Sequence, residues 1–333
     1  MKQLQFIRRP SEGETGVAES VRSSTSLEEL IINGGWFGDD DAEELGAALA
    51  HNTSLKILTL YDCSFGGRGL RGITEALKTN TVIDCLELRN LRIGDAGAEH
   101  LADLLVSTSS LTHIAILCCG VGEIGTRTIA DALKINTTLE VFNIHNNEIG
   151  DAGAAALADA LAVNSSLKTL SVFNCGIGAV GWRAIADALK INTTLYSFDI
   201  SRNKIGDAGA AAIAGAVAVN SSLIGIHLAF CDIGEEGALA LGRAWGSNLA
   251  LSMDMDLKIC DFNNHLQDEA RRVRAFVLRR REQLLAFGMA MLERLGGGTK
   301  EQAGSTRSST RRSVFHGMNK DVFKLVGEAY GDY

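Results

Sequence analysis

The feature that most constrains this chain is an alignment with itself at an offset of 28 residues, unbroken from Ser24 to Ser247. Eight units follow one another without insertion or deletion: 24–51, 52–79, 80–107, 108–135, 136–163, 164–191, 192–219 and 220–247. Unit five reads NTTLEVFNIHNNEIGDAGAAALADALAV and unit seven NTTLYSFDISRNKIGDAGAAAIAGAVAV. The fourth place is Leu or Ile throughout (Leu27, Leu55, Ile83, Leu111, Leu139, Leu167, Leu195, Leu223), and the seventh and ninth are apolar, as in Leu170 with Val172. The fifteenth is Gly in all eight, from Gly38 to Gly234, and the eighteenth is Gly in all but the first, where Asp41 stands. A fixed period of this length marks a stacked array, because one short unit cannot bury its own apolar side and neighbours must do it.

The first half of each unit predicts a strand, since apolar residues two apart share one face. The second half predicts a helix, with Leu157 and Leu161 four apart on one face. Asp95, Asp151 and Asp207 stand where a carboxylate caps a helix start or meets its positive end. Asn at the first place, as in Asn136 and Asn164, fits the left-handed residue that ends a helix. The expected architecture is a curved solenoid with parallel strands inside and helices outside.

The run Leu-x-x-Leu-x-Leu, followed at the twelfth place by Cys63, Cys119, Asn147, Cys175, Asn203 and Cys231, resembles the leucine-rich-repeat signature. Cysteine falls in every second unit; units four and six share Ile-Ala-Asp-Ala-Leu-Lys-Ile, and units five and seven share Ile-Gly-Asp-Ala-Gly-Ala. The 28-residue unit therefore reads as half of a 56-residue pair, an alternation similar to leucine-rich repeats of the ribonuclease-inhibitor type. Related arrays occur in NOD-like receptors and Ran GTPase-activating proteins. The resemblance covers residues 24 to about 257 and implies an α/β leucine-rich-repeat solenoid, a horseshoe of eight strand–helix units with a concave binding face. It implies no shared ligand, because fold is not function. No Gly-x-x-x-x-Gly-Lys-Ser/Thr precedes the repeats, which excludes a complete NOD-like receptor.

Outside the repeat, residues 1–23 read as a degenerate N-terminal cap, with a capping box at Ser11–Glu14, a short helix carrying Val17, Ala18 and Val21, and Leu4 and Phe6 shielding the first strand. The repeat domain is expected to run over 24–257, closed by a strand near 249–257. A basic amphipathic helix over 258–296, a mobile linker over 297–313 and a short C-terminal helix over 314–333 follow. Residues 1–257 hold 18 basic and 31 acidic side chains, net −13, whereas 258–333 hold 14 and 9, net +5. The arginines of the basic segment (Arg271, Arg272, Arg274, Arg279, Arg280, Arg281) have three readings: a solvated face capping the array, a dock for an acidic surface or partner, or a contact with nucleic acid or anionic membrane. The net-acidic array disfavours a broad nucleic-acid footprint. No apolar stretch reaches membrane-spanning length, the amino end has no signal-peptide core, and seven cysteines within the pattern suit reduced thiols. The expected location is intracellular, in the cytoplasm with a nuclear site compatible.

No cofactor, metal or small-molecule substrate is expected. His113, His145 and His227 fall on strands of different units, and nothing local places a nucleophile beside one. The cysteine ladder recurs at roughly twice the ~4.8 Å strand spacing, too far for disulfides and without the convergence a metal needs. The glycines before each helix read as packing rather than a phosphate cradle, since the adjacent Asp repels phosphate. Candidate partner-binding residues are those at the eighth, tenth and eleventh places, which face outward and vary between units: Tyr61, Asp62, Glu87, Arg89, Asn143, His145, Phe173, Asp199, Arg202, His227 and Phe230. The expected function is non-catalytic: a scaffold, adaptor or inhibitor binding a protein through the concave face. The alternative is a GTPase activator resembling the Ran type.

Overall fold

The computed structural model describes residues 2–11 and 16–248, within the first of two compact units, Met1–Ala270. The closing strand expected near 249–257, the basic helix and the C-terminal helix lie outside the described residues.

Among the described residues nine strand–helix pairs alternate: β1 (Lys2–Phe6), α1 (Val17–Ser23), β2 (Leu27–Asn33), α2 (Asp39–Leu49), β3 (Ile57–Tyr61), α3 (Gly67–Leu77), β4 (Cys85–Arg89), α4 (Gly94–Ser107), β5 (His113–Leu117), α5 (Glu123–Leu133), β6 (Val141–Asn143), α6 (Gly150–Val163), β7 (Thr169–Ser171), α7 (Ala179–Leu189), β8 (Ser197–Asp199), α8 (Gly206–Val217), β9 (Gly225–His227) and α9 (Glu235–Ser247). The eight repeat units supply one pair each, and β1 with α1 supplies a further pair ahead of them. Val17, Ala18 and Val21 of α1 are buried, and Leu4 and Phe6 pack on the core. The helix begins after Gly16, which makes no side-chain cap, so Ser11 is not its cap.

The strands form one parallel sheet in chain order. Register is kept at the repeat offset, so Ile57, Cys85, His113, Val141, Thr169, Ser197 and Gly225 lie side by side. Same-numbered places thus form rows across the sheet. The seventh and ninth places form the buried rows, among them Leu58, Leu60, Phe142, Ile144, Phe198 and Ile200. Burying each such side chain stabilises by ~1.5–3 kcal/mol. Strands pair at about 4.8 Å and packed helices stand about 8–10 Å apart. The strand side of each step is therefore the shorter, and the sheet lines the inner side.

Two sets of polar contacts stitch units together, and both differ from the sequence expectation. The first-place Asn is not a left-handed helix end: Asn164 has φ −70°. These Asn side chains are buried and tie their own unit to the two before it. Asn164 Nδ2 donates to the Leu133 and Asn136 carbonyls at 2.7 and 3.1 Å, while its Oδ1 accepts from the Ser166 and Leu167 amides at 3.0 and 2.8 Å. Asn80, Asn192 and Asn220 repeat this arrangement. A buried amide with all its bonds made is the condition for keeping it there.

The helix-start Asp caps the next unit's helix. Asp95 Oδ1 accepts from the Gly122 and Gly125 amides at 2.7 and 3.0 Å. Asp39 does so for Gly66 and Gly69, Asp151 for Gly178 and Gly181, and Asp207 for Gly234 and Gly237. Every second helix junction carries this cap, which gives the 56-residue alternation a physical form. It also gives the fifteenth-place Gly two reasons in turn. At Gly94, Gly150 and Gly206 the backbone is left-handed (φ 59°, 55°, 58°), which Gly adopts at no steric cost. At Gly122, Gly178 and Gly234 a Cβ would press on the Asp carboxylate, at 3.4, 3.2 and 2.8 Å.

Candidate protein-binding face

Strands alternate burial, so the sixth, eighth and tenth places face outward together; in β3, Ile57, Thr59 and Tyr61 are half-buried between buried Leu58 and Leu60. The sixth place therefore joins the face, which the choice of eighth, tenth and eleventh places left out. Exposure along the eighth place is uneven. Glu87, Asn143 and Asp199 are half-buried and His227 exposed, while Ala115 and Ser171 are buried. The eleventh place stands out furthest. Asp62, Asn90, Cys118, Asn146, Asn174, Arg202 and Phe230 are all exposed, and all are left-handed with φ between 51° and 58°. The turn after each strand requires this conformation. Asn and Asp tolerate it because a short polar side chain bonds locally: Asn90 donates to Asp62 at 3.0 Å and Asn174 to Asn146 at 2.8 Å.

The candidate residues separate into two groups. In the first, Tyr61 lies beside Arg89 in register, and Arg89 forks onto Glu87 Oε2 at 2.6 and 3.1 Å, so its charge is answered within its own strand. Unit four follows with Ala115, Leu117 and Cys118, which carry no charge. In the second, the turns after β6–β9 bring four side chains into a continuous stack. His145 lies 5.5 Å from Phe173, ring centre to ring centre. The Arg202 guanidinium sits over Phe173 at 5.5 Å and over Phe230 at 5.2 Å, within the range of cation–π attraction. Phe230 is 62% exposed. Asn143 and Asp199 with His227 lie on the eighth-place row of the same strands. Arg271, Arg272, Arg274, Arg279, Arg280 and Arg281 lie outside the described residues.

His145 Nε2 is hydrogen-bonded to the Ser171 hydroxyl, a pairing the repeat spacing did not announce. Ser171 is only 5% exposed and also faces the Asp199 carbonyl at 3.5 Å. A nucleophile must be reached by its electrophile, and this hydroxyl instead fixes the imidazole against Phe173. Burial pushes His145 below the ordinary histidine range, with Asp199 opposing and Arg89 adding to the shift. The ring is therefore neutral near pH 7.

The cysteine ladder serves the turns. Cys119 Sγ donates to the Leu88 carbonyl at 3.4 Å and Cys175 Sγ to that of Ile144 at 3.1 Å. The intervening Asn147 and Asn203 accept from the Cys119 and Cys175 amides. These thiols thus hydrogen-bond one unit back as well as filling space. Burial pushes Cys63 and Cys175 up to about 12 and Cys119 to about 11, far from the thiolate that nucleophilic or metal chemistry needs. Among the described residues no group of His, Cys, Asp and Glu converges on a metal position, and no helix is long and apolar enough to cross a membrane.

A parallel sheet of 28-residue strand–helix steps, with varied side chains on its open face, defines a repeat protein of the solenoid class. A family model described as Leucine Rich repeat matches residues 136–158, 163–186, 192–214 and 219–242. Residues 136–242 are thus built of leucine-rich repeats. Among solved structures the chain is similar to leiomodin-1 actin-binding site 2, with 18% identity, a TM-score of 0.39, and coverage of 49% of this chain and 95% of that one. Comparison with curated proteins gives no match.

Proposed function

We propose that this chain is a non-catalytic binding scaffold that holds a protein partner on the sheet face, centred on the turns after β6–β9. The observation that carries this reading is the stack of His145, Phe173, Arg202 and Phe230. Aromatic and arginine side chains dominate binding energy at interfaces, and rigid, pre-placed ones cost least to order. An exposed aromatic ring beside an unburied guanidinium is what a partner's apolar and polar groups together cover. The leucine-rich repeats support interaction as the general role, since stacked repeats present long open surfaces. The six free cysteines among the described residues suit the reducing interior of the cell, so the proposed place of action is the cytoplasm.

The test is quantitative co-purification with full-length wild type, Phe173→Ala/Arg202→Ala, and Arg183→Ala on exposed helix surface as a control. The expected result is one dominant protein that the double variant releases and the control keeps. Equal recovery by all three would remove the sheet face as the site. A panel of GTP-loaded small GTPases run with the same proteins tests the activator alternative; acceleration of hydrolysis by wild type would replace the scaffold reading with it.

A further inference from the structure

The geometry points to Arg202 as a carboxylate receptor: we propose that the partner presents an acidic peptide segment, whose Asp or Glu side chain is forked by the Arg202 guanidinium between Phe173 and Phe230. This rests on the sheet-face reading above and specifies the chemistry of the partner at that site.

Three independent observations carry it. First, Arg202 has no ion-pair partner among the described residues. Basic side chains on or just before other strands are answered: Arg89 by Glu87 at 2.6 Å, Lys56 by Glu28 at 3.3 Å and Lys168 by Glu140 at 2.5 Å. Arg202 touches two aromatic rings instead. A stacked guanidinium keeps its in-plane N–H donors at the edge, held in a fixed fork that matches a carboxylate.

Second, the residue is costly where it stands. The turn demands a left-handed backbone at the eleventh place, and Arg202 and Phe230 adopt it with φ 58°. Four of the other units meet the same demand with Asp or Asn, which tolerate it readily. Strain of this kind persists where a function uses it. Arg202 and Phe230, which break the pattern in units seven and eight, are two of the four side chains of the stack; Cys118 breaks it in unit four, outside the stack.

Third, the charge balance selects the anion. One arginine, with Lys204 exposed two residues further on, shares this stretch of chain with Asp199 and Asp232. Phosphate groups carry about −1.5 to −2 and are taken by clusters of arginine. A single fork between rings fits a singly charged carboxylate, and the rings beside it cover the apolar neighbours of that residue.

The experiment uses the full chain on an array of 12-residue peptides in matched triplets, where each Glu-containing, Leu- and Phe-bearing sequence has a Gln and a phosphoserine counterpart. The expected outcome is binding that favours the Glu member over both. Arg202→Asn, which keeps a side chain suited to the left-handed turn, should lose it at least tenfold. Arg202→Lys, which keeps the charge and loses the fork, should lose it several-fold. Melting temperatures and far-ultraviolet spectra of both variants check that the array is intact. Binding that is equal for Glu and Gln but lost in Phe173→Ala overturns the carboxylate and leaves the sheet-face reading standing. Preference for phosphoserine replaces the carboxylate with a phosphate. Absence of acidic binders, or acidic binding indifferent to Arg202→Asn, overturns the proposal.

Discussion

The turn residue after each strand shows how one backbone requirement is met by unequal side chains. Cys118 is exposed, left-handed at φ 53°, and lies between Asn90 and Asn146 in the same row. A left-handed L-residue costs roughly 1–2 kcal/mol unless it is Gly, Asn or Asp. Cys118→Asn should therefore raise stability by about 0.5–1 kcal/mol, and its amide can join the ladder of Asn90 and Asn146; urea unfolding measures this, and a loss of stability would show the row is not free to accept it. His145 gives a pH-dependent counterpart. Its folded pKa lies below the ordinary 6.5, mainly because of burial. The unfolded chain then binds more protons than the folded one in that interval, so stability is full above pH 6.5 and is lost as pH falls through 6.5 and the folded value. Between pH 7 and 5, wild type should lose more stability than His145→Gln, and parallel curves for the two proteins would contradict the buried neutral ring.

At the scale of the element, what fixes every second helix is partly supplied by its neighbour. Asp151 lies in the first turn of α6, yet its carboxylate receives the Gly178 and Gly181 amides at the start of α7. Asp151→Ala should cost about 0.5–2 kcal/mol, the range of a lost helix cap, even though the helix whose start is uncapped is unchanged in sequence. Gly181→Ala should cost about 1–3 kcal/mol by overpacking, because its Cβ would meet Ala154 and Ile177 at 2.8 Å and Asp151 Oδ1 at 2.9 Å. Guanidinium denaturation of both single variants and the double tests the coupling. The double should cost less than the sum, since removing the carboxylate removes one of the clashes. The strands and helices, and the residues of their inner faces, were legible because period-2 and period-3.6 patterns are local. The Asp contacts were not, because the recipient amides lie 27 and 30 residues away and local capping rules assign each carboxylate to its own helix. The first-place Asn was misread for the same reason: half of its bonds go back to the two units before it. Recurrence of Asp with Gly at alternate units carried that signal in the sequence. Part of the candidate site was legible too, since the open rows follow from strand alternation. The stack was not, because it depends on the left-handed turn; Asp and Asn at four of the eight eleventh places were its trace.

Along the described array, the strands and helices in contact are those of the same or neighbouring units, so stability is close to a sum of unit and interface contributions. The buried Asn row is a term in each interface. Removing Asn164 leaves the Leu133 and Asn136 carbonyls and the Ser166 and Leu167 amides without their partner, a loss of several buried hydrogen bonds at about 1–3 kcal/mol for each group left unsatisfied. Asn164 lies in the middle of the described units, whereas Asn52 makes its contacts at the N-terminal end, to the Val21 and Ser24 carbonyls. A defect at an end should only detach the unit beyond it, because the rest of the array keeps all its interfaces. A defect in the middle divides the array into two shorter stacks, each with fewer neighbours to support it. Asn52→Ala should thus leave the main urea transition in place and lose amide-exchange protection mainly before β3. Asn164→Ala should lower the midpoint and the slope together, since the two halves no longer unfold as one. Its exchange protection should fall on both sides of α6. A pure shift of midpoint at constant slope for Asn164→Ala, with protection lost in one unit only, would mean that the sheet and helix rows couple the array without the Asn ladder.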